Sequence, residues 1–125
     1  MTKFEELEEI FNFVKSRFKY TPDIELYNRS EFWAVMGDDY KGDCEDFSLT
    51  CRKLLLDKGW PKSDVVPACC WTETGGYHAV LVAYIGDEAF VLENRQNRVV
   101  PWGDLPYRWD KILDRGGKFW VEIKA

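Results

Sequence analysis

Residues 75–82 read GGYHAVLV: two glycines and a tyrosine, then the only histidine of the chain, then an apolar run. An apolar, β-branched run that follows glycines is typical of a strand. His78 is therefore expected at the mouth of that strand, where a sheet edge meets a loop. Two interpretations stay open, because a histidine in an apolar strand is more often a satisfied core residue than a catalyst, yet a catalytic base placed here could reach a substrate.

Extended segments continue along the C-terminal half of the chain. After Pro61 the sequence pattern changes from helical to extended. Strands are predicted at residues 65–71, 77–85, 89–93, 99–100 and 119–123, which together indicate an antiparallel sheet. The segment between the last two is irregular, and we predict only a short helix or turn at residues 109–113.

The N-terminal half is predicted to be helical. Thr2 and Glu5 have the spacing of a capping box, and apolar residues then recur every three or four positions as far as residue 18. Residues 28–36 are predicted to form a short helix or an ordered loop. Helices followed by strands predict an α+β fold, and the length of 125 residues predicts a single domain over residues 1–125.

Residues 42–47 read GDCEDF and start a second predicted helix, in which Asp43 is a good N-cap residue. Cys44 then lies in the first turn, where the helix N-terminus lowers the pKa of a thiol and free backbone N–H groups can form an oxyanion hole. Cys51 shares the same apolar face and is predicted to be a small core residue. Taken alone, Cys44 fits either packing or catalysis.

Strand geometry suggests a third member of such a site. If strands 77–85 and 89–93 form a hairpin with an even-numbered loop, His78 shares its face with Glu93, and Asn94 points to the other face. An odd-numbered loop or a bulge would exchange the two. Glu93 could then orient the imidazole, as the third group of a catalytic triad does. The alternative for Glu93 is a surface carboxylate without a partner.

Asp43, Glu45 and Asp46 form a small acidic cluster around the cysteine. Closely spaced carboxylates could bind calcium, although their spacing matches no EF-hand loop. Helix capping explains Asp43 and Asp46 without a metal.

Composition and charge exclude several functions. The net charge of −5 argues against nucleic-acid binding. The sequence shows no signal peptide, and its apolar runs are much shorter than the ~20 residues that a membrane span requires. We therefore expect a cytoplasmic monomer with no membrane contact. The four cysteines lack the paired spacing of a zinc site and are expected to be reduced thiols.

Together, the motifs GDCEDF (42–47), GYHAVLV (76–82) and VLEN (91–94) resemble those of the bacterial transglutaminase-like cysteine proteinases, in order and at compatible spacings. The resemblance covers roughly residues 27–100. It implies a papain-like transglutaminase core, in which the cysteine-bearing helix packs against an antiparallel sheet. It also implies a triad of Cys44, His78 and Glu93, with glutamate standing where the family usually has aspartate.

The same resemblance suggests further site residues. Trp33 matches the family's tryptophan upstream of the cysteine and is a substrate or oxyanion candidate, with core packing as the alternative. Asn94 is the other such candidate and an alternative third member of the triad. No cofactor is required, and the resemblance suggests calcium binding by Asp43, Glu45 and Asp46.

These observations predict a thiol hydrolase that cleaves peptide or isopeptide bonds through an acyl-thioenzyme. Its partner would be a protein or peptide substrate. Three alternatives stay open: a transglutaminase or a glutamine deamidase with the same triad, and a catalytically silent binding module of the same fold.

Overall fold

The structure, a computed structural model, describes residues 1–20, 41–42 and 44–123. Within these ranges it contains two α-helices and a six-stranded antiparallel sheet, which confirms the predicted α+β class. The helix or loop predicted at residues 28–36 lies outside the described residues. Neither of the two helices in the described ranges is long and apolar enough to cross a bilayer.

Helix α1 (Lys3–Arg17) begins as its capping box predicts. The Thr2 hydroxyl accepts the N–H of Glu5 at 3.1 Å, and the Glu5 carboxylate accepts the N–H of Thr2 at 2.8 Å. These bonds satisfy amide donors that a helix start leaves open. After α1, strand β1 (Lys19–Tyr20) pairs in parallel with β2 (Lys41–Gly42), which lies just before the second helix.

Helix α2 (Cys44–Asp57) buries one face against α1. Phe47, Cys51 and Leu55 recur every four residues along that face and are fully buried. Cys51 is thus the small core residue that was predicted, and its burial raises the pKa of its thiol. The helix ends before Gly59, whose φ of 101° is a left-handed conformation that a side chain would strain.

The sheet has the strand order β6-β5-β4-β3-β7-β8, and all neighbouring strands are antiparallel. Its strands are β3 (Val65–Trp71), β4 (Tyr77–Ile85), β5 (Glu88–Leu92), β6 (Val100–Pro101), β7 (Arg108–Leu113) and β8 (Trp120–Glu122). The five strands that the sequence predicts are confirmed, each within one residue at either end.

The prediction of a short helix or turn at residues 109–113 is wrong, because this segment is strand β7, paired with β3. The register between the two strands shifts where Lys111 pairs with Cys69 and Trp109 pairs with Cys70. Asp110 is therefore the extra residue of a β-bulge. A bulge interrupts the period-two alternation that identifies a strand in a sequence, and pairing with β3 decides the structure instead.

The two faces of the sheet bury different partners. The helix-side face carries Leu81 and Leu92, which pack against α1 and α2. The far face carries Val82 and Val91, and Tyr107 from the segment before β7 covers it. Full burial of each such aliphatic side chain contributes about 1.5–3 kcal/mol. Because neighbouring residues of one strand alternate between the faces, His78 on β4 belongs to the far face.

Candidate active site

The hairpin of β4 and β5 fixes which side chains can meet His78. Its loop contains two residues, and Leu81 pairs with Leu92, so paired residue numbers have an odd sum, as an even-numbered loop requires. The predicted register is therefore confirmed. Glu93, the first residue after β5, continues the register on the face of His78.

His78 and Glu93 form a buried hydrogen-bonded pair. The Nε2 atom of His78 lies 2.7 Å from Oε1 of Glu93. Glu93 is fully buried and His78 is 5% exposed. A buried carboxylate without a partner costs several kcal/mol, so the imidazole and Glu93 stabilise each other. This bond uses the Nε2 atom of the imidazole.

Cys44 lies beside the residue that follows His78. The N–H of Ala79 donates to the Sγ of Cys44 at 3.5 Å. The Ser48 hydroxyl, one turn into α2, donates to the Cys44 carbonyl at 2.9 Å and approaches the Ala79 carbonyl at 3.4 Å. The described pairing of β4 with β5 stops at Leu81, so the first turn of α2 meets the backbone of β4 beyond the end of β5.

Tyr107 also belongs to this group, although no sequence pattern singles it out. Its hydroxyl donates to Oε1 of Glu93 at 2.9 Å, and its ring lies edge-on to the imidazole of His78, with 5.8 Å between the ring centroids. Burial, together with the neighbouring carboxylate, raises the pKa of Tyr107 to about 12. The phenol is therefore a hydrogen-bond donor at neutral pH. The segment before β7 has no period from which its burial could be predicted.

Arg95 connects this group to the loop between β3 and β4. Its guanidinium donates to the Tyr107 hydroxyl at 3.1 Å and makes two hydrogen bonds to the Glu73 carboxylate, at 2.5 and 3.2 Å. The bonds from Arg95 lower the pKa of Glu73. Glu73 lies in the loop that leads to His78, and Arg95 follows Glu93 by two positions in the sequence. The guanidinium therefore connects the segment that carries His78 with the segment that carries Glu93.

The other cysteines differ from Cys44 in their surroundings. Cys70 is paired with His78 across β3 and β4 and is fully buried, and this burial, followed by the nearby charge of Glu93, raises its pKa to about 12. Burial also raises the pKa of Cys69. Cys44, in contrast, is partly exposed. No disulfide joins any of these four cysteines within the described residues.

The remaining candidates are less centrally placed. Glu93 makes the side-chain hydrogen bond to His78, whereas no such bond joins Asn94 to His78 among the described residues. The half-buried Asn94 accepts a bond from the Lys15 ammonium through its backbone carbonyl. Trp33 lies outside the described residues.

The predicted metal cluster is only partly described. Glu45 is partly exposed and Asp46 is fully buried, both in the first turn of α2, while Asp43 lies outside the described residues. Within residues 1–20, 41–42 and 44–123, no three His, Cys, Asp or Glu side chains are grouped as a metal site would require.

Several solved structures resemble this fold. Legionella pneumophila LapG shares 20% sequence identity at a TM-score of 0.77, over 97% of this chain and 69% of that chain. Its calcium-bound form shares 19% sequence identity at a TM-score of 0.76, over 98% of this chain and 75% of that chain. Its EGTA-treated form shares 19% identity at a TM-score of 0.73, over 97% of this chain and 67% of that chain. At these identities the likeness establishes the fold, which is transglutaminase-like as predicted.

Comparison with curated protein sequences gives no match. The family model described as bacterial transglutaminase-like cysteine proteinase BTLCP matches residues 1–125. With the fold, this match makes the protein a cysteine peptidase-like enzyme. The chain belongs to the bacterial transglutaminase-like cysteine proteinase family.

Proposed function

We propose that this enzyme hydrolyses peptide or isopeptide bonds of protein substrates through an acyl-thioenzyme on Cys44, with His78 as the base and Glu93 as the orienting acid. The observation that carries the proposal is the buried 2.7 Å hydrogen bond between His78 and Glu93, next to a cysteine at a helix start. This arrangement is that of a nucleophile, a base and a third group that orients the base.

Three groups favour the thiolate of Cys44. The N-terminus of α2 supplies a partial positive charge, and the Ala79 N–H donates to the sulfur. His78 accepts the thiol proton on Nδ1, because Glu93 holds Nε2. The imidazolium that results is stabilised by the Glu93 carboxylate, as in a triad.

The reaction then follows in two stages. The Cys44 thiolate attacks the substrate carbonyl, and the backbone N–H of Cys44 stabilises the oxyanion. The carbon–nitrogen bond breaks as His78 returns its proton to the leaving amine, which leaves a thioester on the sulfur. His78 next takes a proton from water, the hydroxide attacks the thioester, and the carboxylic acid product and the Cys44 thiol are released.

The acceptor of the acyl group distinguishes the related activities. Attack by water completes hydrolysis, whereas attack by a lysine amine on the same thioester makes an isopeptide bond. Water acting on a glutamine-derived thioester gives deamidation. Cys44 and His78 have the same roles in all three reactions, so the shape of the cleft decides among them.

We further propose that calcium binds beside the nucleophile. Support comes from the LapG structures, which include a calcium-bound and an EGTA-treated form, and from the preference of calcium for carboxylate oxygens. Glu45 fits as a partly exposed donor, together with Asp43. Asp46 fits less well, because its side chain is fully buried and successive helix residues point about 100° apart.

The calcium proposal is tested by melting temperature. A rise in 1 mM calcium relative to EGTA is expected, and Glu45→Gln should reduce that rise. Asp57→Asn, at the far end of α2, is the matched control and should keep the whole response. An identical melting temperature with calcium and with EGTA would rule the site out.

Three expectations from the sequence stay predictions: a single domain, a monomer and a cytoplasmic location. The roles of Trp33 and Asn94 in binding substrate or the oxyanion also stay predictions. Each concerns a property separate from the proton transfer between Cys44 and His78.

The acyl-thioenzyme is tested with p-nitrophenyl acetate as a minimal acyl donor. We expect an acid quench to trap one acetyl group, sensitive to hydroxylamine, on the peptide that contains Cys44. Cys51→Ala, in the same helix, is the matched control and should acylate like the wild type. Added n-butylamine should leave acetic acid as the main product of a hydrolase, whereas acetylated butylamine would indicate a transferase.

If the Cys44 peptide stays unmodified in this experiment, the enzyme proposal fails, and a binding module of the same fold becomes the preferred function.

A further inference from the structure

We propose that Tyr107 is a positioning residue for the pair of His78 and Glu93, and that Arg95 fixes the direction in which the Tyr107 hydroxyl donates. This inference rests on the proposed function, because it assigns how the base of that reaction is held. It concerns a side chain that does not touch the reacting atoms and that acts through Glu93.

The direction of the Tyr107 hydrogen follows from its partners. A hydroxyl has one hydrogen to donate and two lone pairs that accept. Arg95 Nη1 at 3.1 Å and Gln96 Nε2 at 3.3 Å are both donors, so they occupy the lone pairs. The single phenol hydrogen then points at Oε1 of Glu93, 2.9 Å away. Every hydrogen-bonding capacity of the hydroxyl is used.

This arrangement limits the rotation of the carboxylate. Oε1 of Glu93 accepts both from Tyr107 and from Nε2 of His78, and two fixed donors on one oxygen define the plane in which the carboxyl group lies. Because the carboxylate only accepts, the shared hydrogen resides on Nε2 of His78. Nδ1 then carries the lone pair that the Cys44 thiol needs.

Glutamate has one more rotatable bond than aspartate, so a Glu93 held by His78 alone could adopt more side-chain conformations. The Tyr107 hydroxyl removes that freedom. The burial that raises the Tyr107 pKa to about 12 keeps the phenol protonated, so the donor persists throughout the neutral range.

Arg95 extends the same support to the loop before His78. Its guanidinium forms hydrogen bonds to both carboxylate oxygens of Glu73, within that loop, and to Tyr107. Because the side chains of Glu73 and Arg95 are both partly exposed, their ion pair contributes little to stability. Substitution of Arg95 therefore tests positioning with little effect on folding.

The test uses the fact that His78 is the only histidine in the chain. In a protein labelled with ¹⁵N in histidine, every imidazole signal reports on this site. The wild type should show a hydrogen on Nε2 and none on Nδ1 in the neutral ring. The groups around the ring that contribute to its titration are Glu93 after β5, Tyr107 before β7 and Cys70 on β3. Arg95 and Glu73 lie behind Tyr107, and Cys44 on α2 contacts the N–H of the next residue, Ala79.

Tyr107→Phe removes the hydroxyl and keeps the ring. The carboxylate of Glu93 loses a neutral donor and interacts more strongly with the imidazolium, so the titration midpoint of His78 should rise by about half a pH unit or more. The maximal rate of Cys44 acetylation by p-nitrophenyl acetate should fall about tenfold, while the half-saturating ester concentration stays within about twofold. Tyr84→Phe, also on the far face, is the matched control and should change neither value.

Arg95→Gln is a second variant that avoids the core, with Arg98→Gln as its matched control. It should move the His78 titration and the acetylation rate in the same direction as Tyr107→Phe, by a smaller amount, whereas Arg98→Gln should move neither. A Tyr107→Phe protein whose titration and acetylation match the wild type would overturn the proposal. If that variant does not fold, an unchanged Arg95→Gln overturns it.

The two levels of inference fail separately. A wild-type Cys44 that is never acetylated contradicts the proposed function. The titration of His78 needs no turnover, so it still shows whether Tyr107 controls the Glu93 carboxylate.

Discussion

The two faces of the six-stranded sheet are built from alternate residues of the same strands, yet they bury different chemistry. The helix-side face is apolar, with Leu81 of β4 packed against both helices. The far face buries a connected polar group, in which His78, Glu93 and Tyr107 are hydrogen-bonded in series. Leu81 follows His78 by only three positions along β4.

This difference separates stability from reactivity within a single strand. Around Leu81 on the helix-side face, burial of hydrocarbon contributes favourable free energy. On the far face, burial of an imidazole and a carboxylate costs free energy that only the mutual hydrogen bonds offset. Substitutions on the helix-side face should therefore destabilise the fold, and substitutions in the polar group should mainly reduce the reactivity of Cys44.

The largest expected effect is on the far face. His78→Gln keeps an amide that can donate to Glu93 in place of Nε2, but it has no basic nitrogen to accept the Cys44 proton. Acetylation by p-nitrophenyl acetate should fall about a thousandfold. In urea unfolding, His78→Gln should lose less stability than His78→Ala, because the alanine variant leaves the Glu93 carboxylate without its imidazole partner. Acetylation within twofold of the wild type would contradict the role of the base.

On the helix-side face, Leu81→Ala should lower the free energy of unfolding by about 2–5 kcal/mol, since it deletes a fully buried side chain and leaves a cavity. The acetylation rate per folded molecule should stay within about twofold of the wild type, because Leu81 lies on the face of the sheet opposite to the polar group. Urea unfolding and active-site titration check the two parts. A large loss of reactivity without a loss of stability would remove the distinction between the faces.

Glu93→Gln tests charge at nearly constant shape. The amide oxygen can still accept from Tyr107, but it no longer stabilises the imidazolium, so acetylation should fall about 10- to 100-fold, as expected for one charged hydrogen bond. Glu93→Asp is the matched control, because it keeps the charge and shortens the side chain. Faster acetylation of Glu93→Asp than of Glu93→Gln indicates that the charge matters. Equal acetylation rates of the two variants would speak against an orienting acid.

The smallest effect concerns Cys70, which lies next to His78 on the far face. Its folded pKa of about 12 exceeds that of a cysteine in an unfolded chain, so the unfolded state releases the proton first as pH rises. The Cys70 thiol should therefore contribute a fall in stability of about 1 kcal/mol per pH unit between about pH 9 and 12, in addition to that of the other buried thiols, and have no effect below that range. Cys70→Ala should show a shallower fall. Parallel stability curves from pH 8 to 11 would contradict the assigned burial.

Much of this fold could be predicted from local patterns. The capping box of Thr2 and Glu5 marks the start of α1, and the apolar, β-branched runs mark β3 and β4. The register that brings Glu93 to His78 follows from the two-residue loop alone, because strand alternation leaves no other choice once the loop length is even.

Other features depend on partners that a single sequence does not name. Strand β7 carries a bulge at Asp110, so its alternation is broken, and its pairing with β3 comes from distant residues. Tyr107 lies directly before β7, and nothing in the neighbouring sequence predicts that its side chain reaches Glu93. The contact of Cys44 with the Ala79 N–H likewise depends on how α2 meets β4 beyond the end of β5.

The activation of Cys44 by His78 is tested most directly by alkylation of the native protein with iodoacetamide across pH, followed by peptide mapping. We expect Cys44 to react below neutral pH at least about tenfold faster than a free thiol, and His78→Gln to remove that advantage. Cys51, Cys69 and Cys70, whose pKa values burial raises, should react only after unfolding. A Cys44 that reacts no faster than a free thiol and is indifferent to His78→Gln would contradict the proposed enzyme.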